Sequence, residues 1–164
     1  MQELNNAGFV NAQRLRSDIH ERVTGTQALL AGDNFNRGER AKGFDLFIQL
    51  HSDAAINNPQ IDHAVIYHPM DGRNYTENLG ESLAGAIRTT MGLVGISSVR
   101  TRVNNDGEEW FAVMRGAMSV DCPRYFIAEN GFHTNPRSAH WLMQSINLQR
   151  LAKAYTEVIS NLFS

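Results

Sequence analysis

Three short apolar runs punctuate this chain, and stretches of helical periodicity lie between and beyond them. The runs are Asp45–Leu50 (DLFIQL), Ala64–Tyr67 (AVIY) and Tyr125–Ala128 (YFIA). Each is too short for a buried helix and is rich in the branched and aromatic side chains that suit a pleated surface. A fourth run, Trp110–Met114 (WFAVM), reads the same way. The helical stretches have apolar residues three and four apart. Ala12, Leu15, Ile19 and Val23 predict a helix over about 7–23, and Leu79, Leu83, Ala86 and Ile87 predict one over about 75–91. Ser138–Met143 predicts a short helix, and Leu148, Leu151, Ala152, Tyr155, Val158, Ile159 and Leu162 predict a long last one. Alternating strands and helices bury their apolar faces best as an α/β fold. The expectation is a three-layer arrangement, a mostly parallel twisted sheet with helices on both faces.

Composition agrees with one folded domain. The chain has 164 residues, 42% hydrophobic and 20% charged, enough apolar material for a core and too little charge for a disordered chain. No repeat or Pro/Ser-rich linker marks a boundary. Fifteen Lys+Arg against seventeen Asp+Glu, scattered along the sequence, leave no basic footprint for nucleic acid. No apolar run approaches the ~20 residues that span a bilayer. The opening MQELNNAGFV has neither the charged nor the apolar region of a secretory signal. The single cysteine, Cys122, excludes an internal disulfide and a thiolate-rich metal site, and its place before Pro123 and an apolar run reads as structural.

In α/β sheets, chemistry collects just beyond the carboxyl ends of strands, and two residues sit there. His51 follows the first run directly and is trailed by Ser52, Asp53 and Ala54. A lone histidine is more often structural or solvated than a metal ligand, but a strand-end imidazole on a loop is presented toward the cleft. Glu129 closes the run Tyr125–Ala128 and precedes Asn130, Gly131 and Phe132. A carboxylate emerging from an apolar strand is partly desolvated, which lifts its pKa towards the range of a general base. The bland alternative is a turn cap or an arginine partner. Zinc hydrolysis needs these two roles, an imidazole ligand and a non-ligating carboxylate beside the metal's water. The chain contains no H-E-x-x-H, G-x-S-x-G, P-loop or G-x-G-x-x-G pattern.

Phe44–Ala54 (FDLFIQLHSDA) resembles the "aDlFiSiHaNa" strand and loop of zinc-dependent N-acetylmuramoyl-L-alanine amidases of the autolysin and endolysin type. Tyr125–Pro136 (YFIAENGFHTNP) resembles their "avLvElGFitNp" segment. Asn36–Ala41 (NRGERA), like the family's "L-x-x-R-x-x-x-A" helix, and Leu151–Ala154 in the last helix fall in the expected order, so the likeness covers about residues 7–164. Gln49 and His133 depart from the pattern, standing where the family has a small and an aliphatic residue.

The resemblance implies a peptidoglycan hydrolase that cleaves the amide between N-acetylmuramic acid and the L-alanine of the stem peptide, with Zn²⁺ as cofactor. It implies His51 as a zinc ligand and Glu129 as the catalytic glutamate. The family's other ligands are a histidine in a "GHGG" turn and a glutamate at the start of the first helix. The chain begins after that turn, so the expectation is a single catalytic domain, 1–164, lacking its first strand, with Glu3 as the remaining ligand candidate. His63, His133 and Asn135 are the candidates for contact with substrate. His20, His68 and His140 read as structural or surface residues, and Trp110 and Trp141 as core aromatics. The expected partner is bacterial peptidoglycan, met as a monomer at the cell wall, extracellular or periplasmic. A second reading stands beside this one: a vestigial peptidoglycan-binding domain that cannot hold zinc, because two ligands rarely retain a catalytic ion.

Overall fold

The computed structural model describes residues 34–70 and 77–163. Glu3, His20 and the first predicted helix lie outside the described residues. Contacts divide the chain into two compact units. One comprises the described parts of Met1–Phe47, Pro69–Asn74 and Thr101–Tyr125, and the other comprises Ile48–His68, Tyr75–Arg100 and Phe126–Ser164.

The expected α/β architecture is present. The strands are β1 (Phe47–Asp53), β2 (Val65–Tyr67), β3 (Ser98–Arg100) and β4 (Tyr125–Phe132), in sheet order β1-β4-β2-β3. The helices are α1 (Glu77–Met91), α2 (Ala112–Ser119), α3 (Pro136–Leu142) and α4 (Ser145–Phe163), with a further helical turn over residues 34–39. β2 and β3 are parallel, Val65 opposite Ser98. Hydrogen bonds from Phe47 N–H to the Arg124 carbonyl and from His133 N–H to the Asp53 carbonyl, both 2.9 Å, pair low numbers with low and high with high. β1 and β4 are therefore parallel as well. The pair between these two halves is antiparallel, with Val65 opposite Glu129, so the sheet is mixed.

β4 is buried along all eight residues, which fits an inner strand with its near-continuous apolar start. β1 and β3 are the edges of the described sheet, and Leu50 within β1 is 61% exposed, not buried as its apolar run predicts. In α1, Leu79, Leu83, Ile87 and Met91 recur every four residues and are all buried, one stripe along the helix. That stripe packs against β2, β3 and α4, whose own buried residues, Leu151, Tyr155 and Ile159, keep the same spacing. Burying a leucine or isoleucine as fully as Leu83 or Ile87 stabilises by about 1.5–3 kcal/mol, so this helix pair is a main anchor of the second unit.

One predicted element changes type. Ala112–Met114 opens helix α2, not a strand. Val113, Met114, Gly116 and Ala117 are its buried residues, a helical spacing that a five-residue window cannot display. Trp110, expected in the core, is 46% exposed, and the Arg102 guanidinium lies 4.3 Å from its ring centre. Cys122 is buried, its Sγ 3.3 Å from the Arg124 carbonyl; burial pushes its thiol pKa up, consistent with an unreactive structural residue.

Candidate active site

The strands bring His51 and Glu129 side by side. In a parallel pair, a residue whose N–H bonds residue j−1 lies opposite residue j, so Phe47 stands opposite Tyr125. Counting evenly along both strands sets His51 opposite Glu129. Residues in register share a face of the sheet, on strands about 4.8 Å apart. Both lie inside their strands and not beyond them, because β1 runs on to Asp53 and β4 to Phe132.

Beyond this pair the count slips. An even ladder would send the N–H of residue 132 to the Asp53 carbonyl, yet the donor is residue 133. β4 therefore holds one extra residue, a bulge, and its regular pairing with β2 over Ile127–Glu129 sets that bulge after Glu129. Gly131 supplies it with φ +71°, a conformation that costs a side-chain-bearing residue dearly. A Cβ there would also meet Ser138 Oγ at 3.0 Å.

Asn130, just before that glycine, is 4% exposed and almost fully hydrogen-bonded. Its Nδ2 donates to the His51 carbonyl at 2.9 Å and to the Ala128 carbonyl at 3.0 Å. Its Oδ1 accepts from the Tyr155 hydroxyl of α4 at 2.9 Å.

Glu129 is 8% exposed, and its Oε2 is buried without a hydrogen-bond partner among the described residues. Burial first, then the nearby Asp53 carboxylate, lift its pKa from 4.5 to about 7. A buried orphan oxygen is costly and marks a place where a further group is expected to bind.

The loops beyond β1 and β4 are laced together. The Ala55 N–H donates to Thr134 Oγ1 at 2.9 Å. His133 is exposed, and its Nδ1 lies 3.1 Å from both the carbonyl and the hydroxyl of Ser52. A carbonyl only accepts, so Nδ1 carries a hydrogen in this contact. His63 packs on Phe132, ring centres 4.9 Å apart, and burial together with the Arg100 charge lowers its pKa. Asn135, itself buried, caps α3: its side-chain oxygen accepts from the Arg137 and Ser138 N–H groups. His140 is exposed, as expected.

Among the described residues no group of three His, Cys, Asp or Glu side chains is placed to hold a metal ion. His51 and Glu129 fit the ligand-and-base half of a zinc site, whose remaining donors would have to come from outside those residues. Asn130, Tyr155 and Asp53 were not singled out by sequence reasoning. The signal for Asn130 was available: an amide inside an apolar strand must find partners. Tyr155 is 25 residues away and gave none.

The chain resembles several solved structures at low identity, which speaks for the fold. The CwlD amidase from Clostridioides difficile, solved with the GerS lipoprotein, matches with TM-score 0.72 at 15% identity over 99% of this chain and 79% of that one. Cwp6 from Clostridium difficile matches with TM-score 0.65 at 16% identity, over 82% of this chain and 20% of that one. An N-acetylmuramoyl-L-alanine amidase from Clostridium difficile 630 matches with TM-score 0.63 at 14% identity, over 81% and 64%. The chain thus spans about a fifth and just under two thirds of these last two. No curated protein matches its sequence. The family model described as N-acetylmuramoyl-L-alanine amidase matches residues 3–161, nearly the whole chain, which therefore belongs to that family.

Proposed function

We propose that this chain hydrolyses the amide between N-acetylmuramic acid and L-alanine in bacterial peptidoglycan, with Glu129 as general base. The observation that carries the reading is the state of Glu129: a buried oxygen without a partner and a pKa of about 7, on the strand beside His51. A base works best when its pKa lies near the working pH. His51, with Glu3 and donors outside the described residues, would hold zinc. When bound, zinc would polarise the scissile carbonyl and acidify the attacking water.

Glu129 would take one proton from that water as its oxygen attacks the carbonyl carbon. It would return the proton to the alanine nitrogen as the carbon–nitrogen bond breaks, ending as a carboxylate again. The products are a free lactyl carboxyl on the sugar and a free peptide amine. His63, His133 and Asn135 would contact the substrate. The site of action would be the cell wall, outside the cell or in the periplasm. No helix among the described residues is long and apolar enough to cross a membrane.

The deciding experiment is Glu129→Gln, assayed for release of stem peptides from purified peptidoglycan and for bound zinc. The variant is expected to keep its zinc and lose about 10²–10⁴-fold in rate, the usual contribution of general-base assistance. Unchanged hydrolysis would remove Glu129 from the mechanism. Loss of zinc would make it a ligand. A parental chain that binds peptidoglycan without zinc or hydrolysis would be a binding module.

A further inference from the structure

We propose that Asn130 and Tyr155 are positioning residues that fix the His51-bearing strand against the Glu129-bearing strand. The inference rests on the function proposed above. Its basis is the set of contacts that Asn130 makes. One amide hydrogen holds the His51 carbonyl on β1, the other holds Ala128 on its own strand, and its oxygen is held by Tyr155 on α4. Three elements therefore meet on one buried side chain.

The need for such a tie is local. The bulge leaves the residues that follow Glu129 out of step with β1, and Gly131 has no side chain to resist rotation. A turn of the peptide between residues 129 and 130 would swing the Glu129 carboxylate away from the His51 side of the sheet. Asn130 opposes that turn, since any rotation must stretch hydrogen bonds in two directions. Tyr155 in turn fixes Asn130 from the longest described helix, which is buried along Leu151, Tyr155 and Ile159. Deep burial raises the phenol's pKa well above its ordinary value, so the hydroxyl keeps the hydrogen it donates. An aliphatic residue at position 130 would fill the same space without orienting anything.

A purely structural pair and a positioning pair differ in what their loss changes. Loss of structure alone lowers the melting temperature and leaves the turnover of folded protein intact. Loss of position slows turnover while substrate binding persists. A displacement of about 1 Å at a catalytic group can cost about 10²-fold, and outer partners of metal ligands typically contribute 10–100-fold in affinity or activity.

The test uses the zinc-loaded chain, with kcat and KM measured on soluble peptidoglycan fragments. Zinc affinity is measured separately by competition with a chromophoric chelator, at a temperature where circular dichroism shows every variant folded. Asn130→Ala is expected to lower kcat about 10–100-fold with KM nearly unchanged, and to weaken zinc about tenfold. Tyr155→Phe, which keeps the ring, is expected to move both quantities in the same direction by less. Adding it to Asn130→Ala should change nothing further, because Tyr155 acts through Asn130. Parental kcat and zinc affinity in Asn130→Ala, with only the melting temperature lowered, would overturn the proposal. So would effects of the two substitutions that simply multiply. If Asn130→Ala does not fold, Tyr155→Phe alone decides: parental values in both measurements overturn the proposal. Glu129→Gln run alongside separates the two readings. If it hydrolyses at the parental rate, the base assignment fails, and the zinc measurement alone judges the tie to His51.

Discussion

A carboxylate with a native pKa of about 7, against 4.5 when exposed, binds its proton more tightly folded than unfolded. Between those two values the folded protein keeps the proton while the unfolded chain has lost it. Stability contributed by Glu129 is therefore present at low pH and falls as pH rises through that window, with the full cost reached above about 7. Glu129→Gln removes this titration. In metal-free protein the variant should match the parent near pH 4.5 and exceed it at pH 8 by up to about 3 kcal/mol. Calorimetric melts at the two pH values check this; an equal offset at both would return the Glu129 pKa to the ordinary range. The substitution that weakens catalysis should thus strengthen the fold. The candidates His51 and Glu129 stand out in the sequence because each interrupts an apolar strand with a polar side chain near its end. Tyr155 was not legible there, since a hydrogen bond between residues far apart in sequence leaves no local pattern.

Elements were legible where their length exceeded the window needed to tell a period of 3.6 from one of 2. Helix α1 spans 15 residues and α4 spans 19, and both appear close to their predicted bounds. Trp110–Met114 failed for the opposite reason: its five residues show β-prone composition but too little of the buried spacing of α2. Strand ends also moved. β4 continues through Glu129, Asn130 and Gly131, polar and glycine residues that normally close a strand, because the Asn130 side chain and the bulge satisfy them. That local solution is fragile. Gly131→Ala should cost about 1–3 kcal/mol from its positive φ alone, and the contact with Ser138 adds to it. The same variant should lose activity beyond its loss of folded protein, measured as kcat at a temperature below its melting transition. Asn135→Ala removes the cap of α3 and should cost about 1 kcal/mol in denaturant unfolding.

Topology was the least legible level. The alternation of strands and helices pointed to α/β, but the antiparallel pairing of β2 with β4 depends on contacts between strands some sixty residues apart. Part of what holds such distant segments is polar. Asp62 is buried, with its side chain 3% exposed, and joins three stretches of the second unit. Its carboxylate accepts from Ser138 Oγ at 2.5 Å and from Arg137 Nη1 at 3.1 Å, while its backbone carbonyl accepts from the Gly95 N–H. The two side-chain partners are unequal. The Arg137 side chain is 56% exposed and also reaches the Gly92 carbonyl, so solvent and a second acceptor compensate if the ion pair is lost. Ser138 is 1% exposed, and without Asp62 its hydroxyl would lose its acceptor in a place water does not reach. Removing either end of one salt bridge should therefore give very different results. Arg137→Ala is expected to cost below about 1 kcal/mol, in keeping with exposed ion pairs. Asp62→Ala should cost about 2–4 kcal/mol, from the orphaned hydroxyl and the void the carboxylate leaves. Pairing Asp62→Ala with Ser138→Ala should recover part of that loss, because the second change removes the unsatisfied group. Urea unfolding of the four proteins under one condition measures all three differences. Equal costs for Arg137→Ala and Asp62→Ala would place the stabilisation in the ion pair and not in the buried hydroxyl.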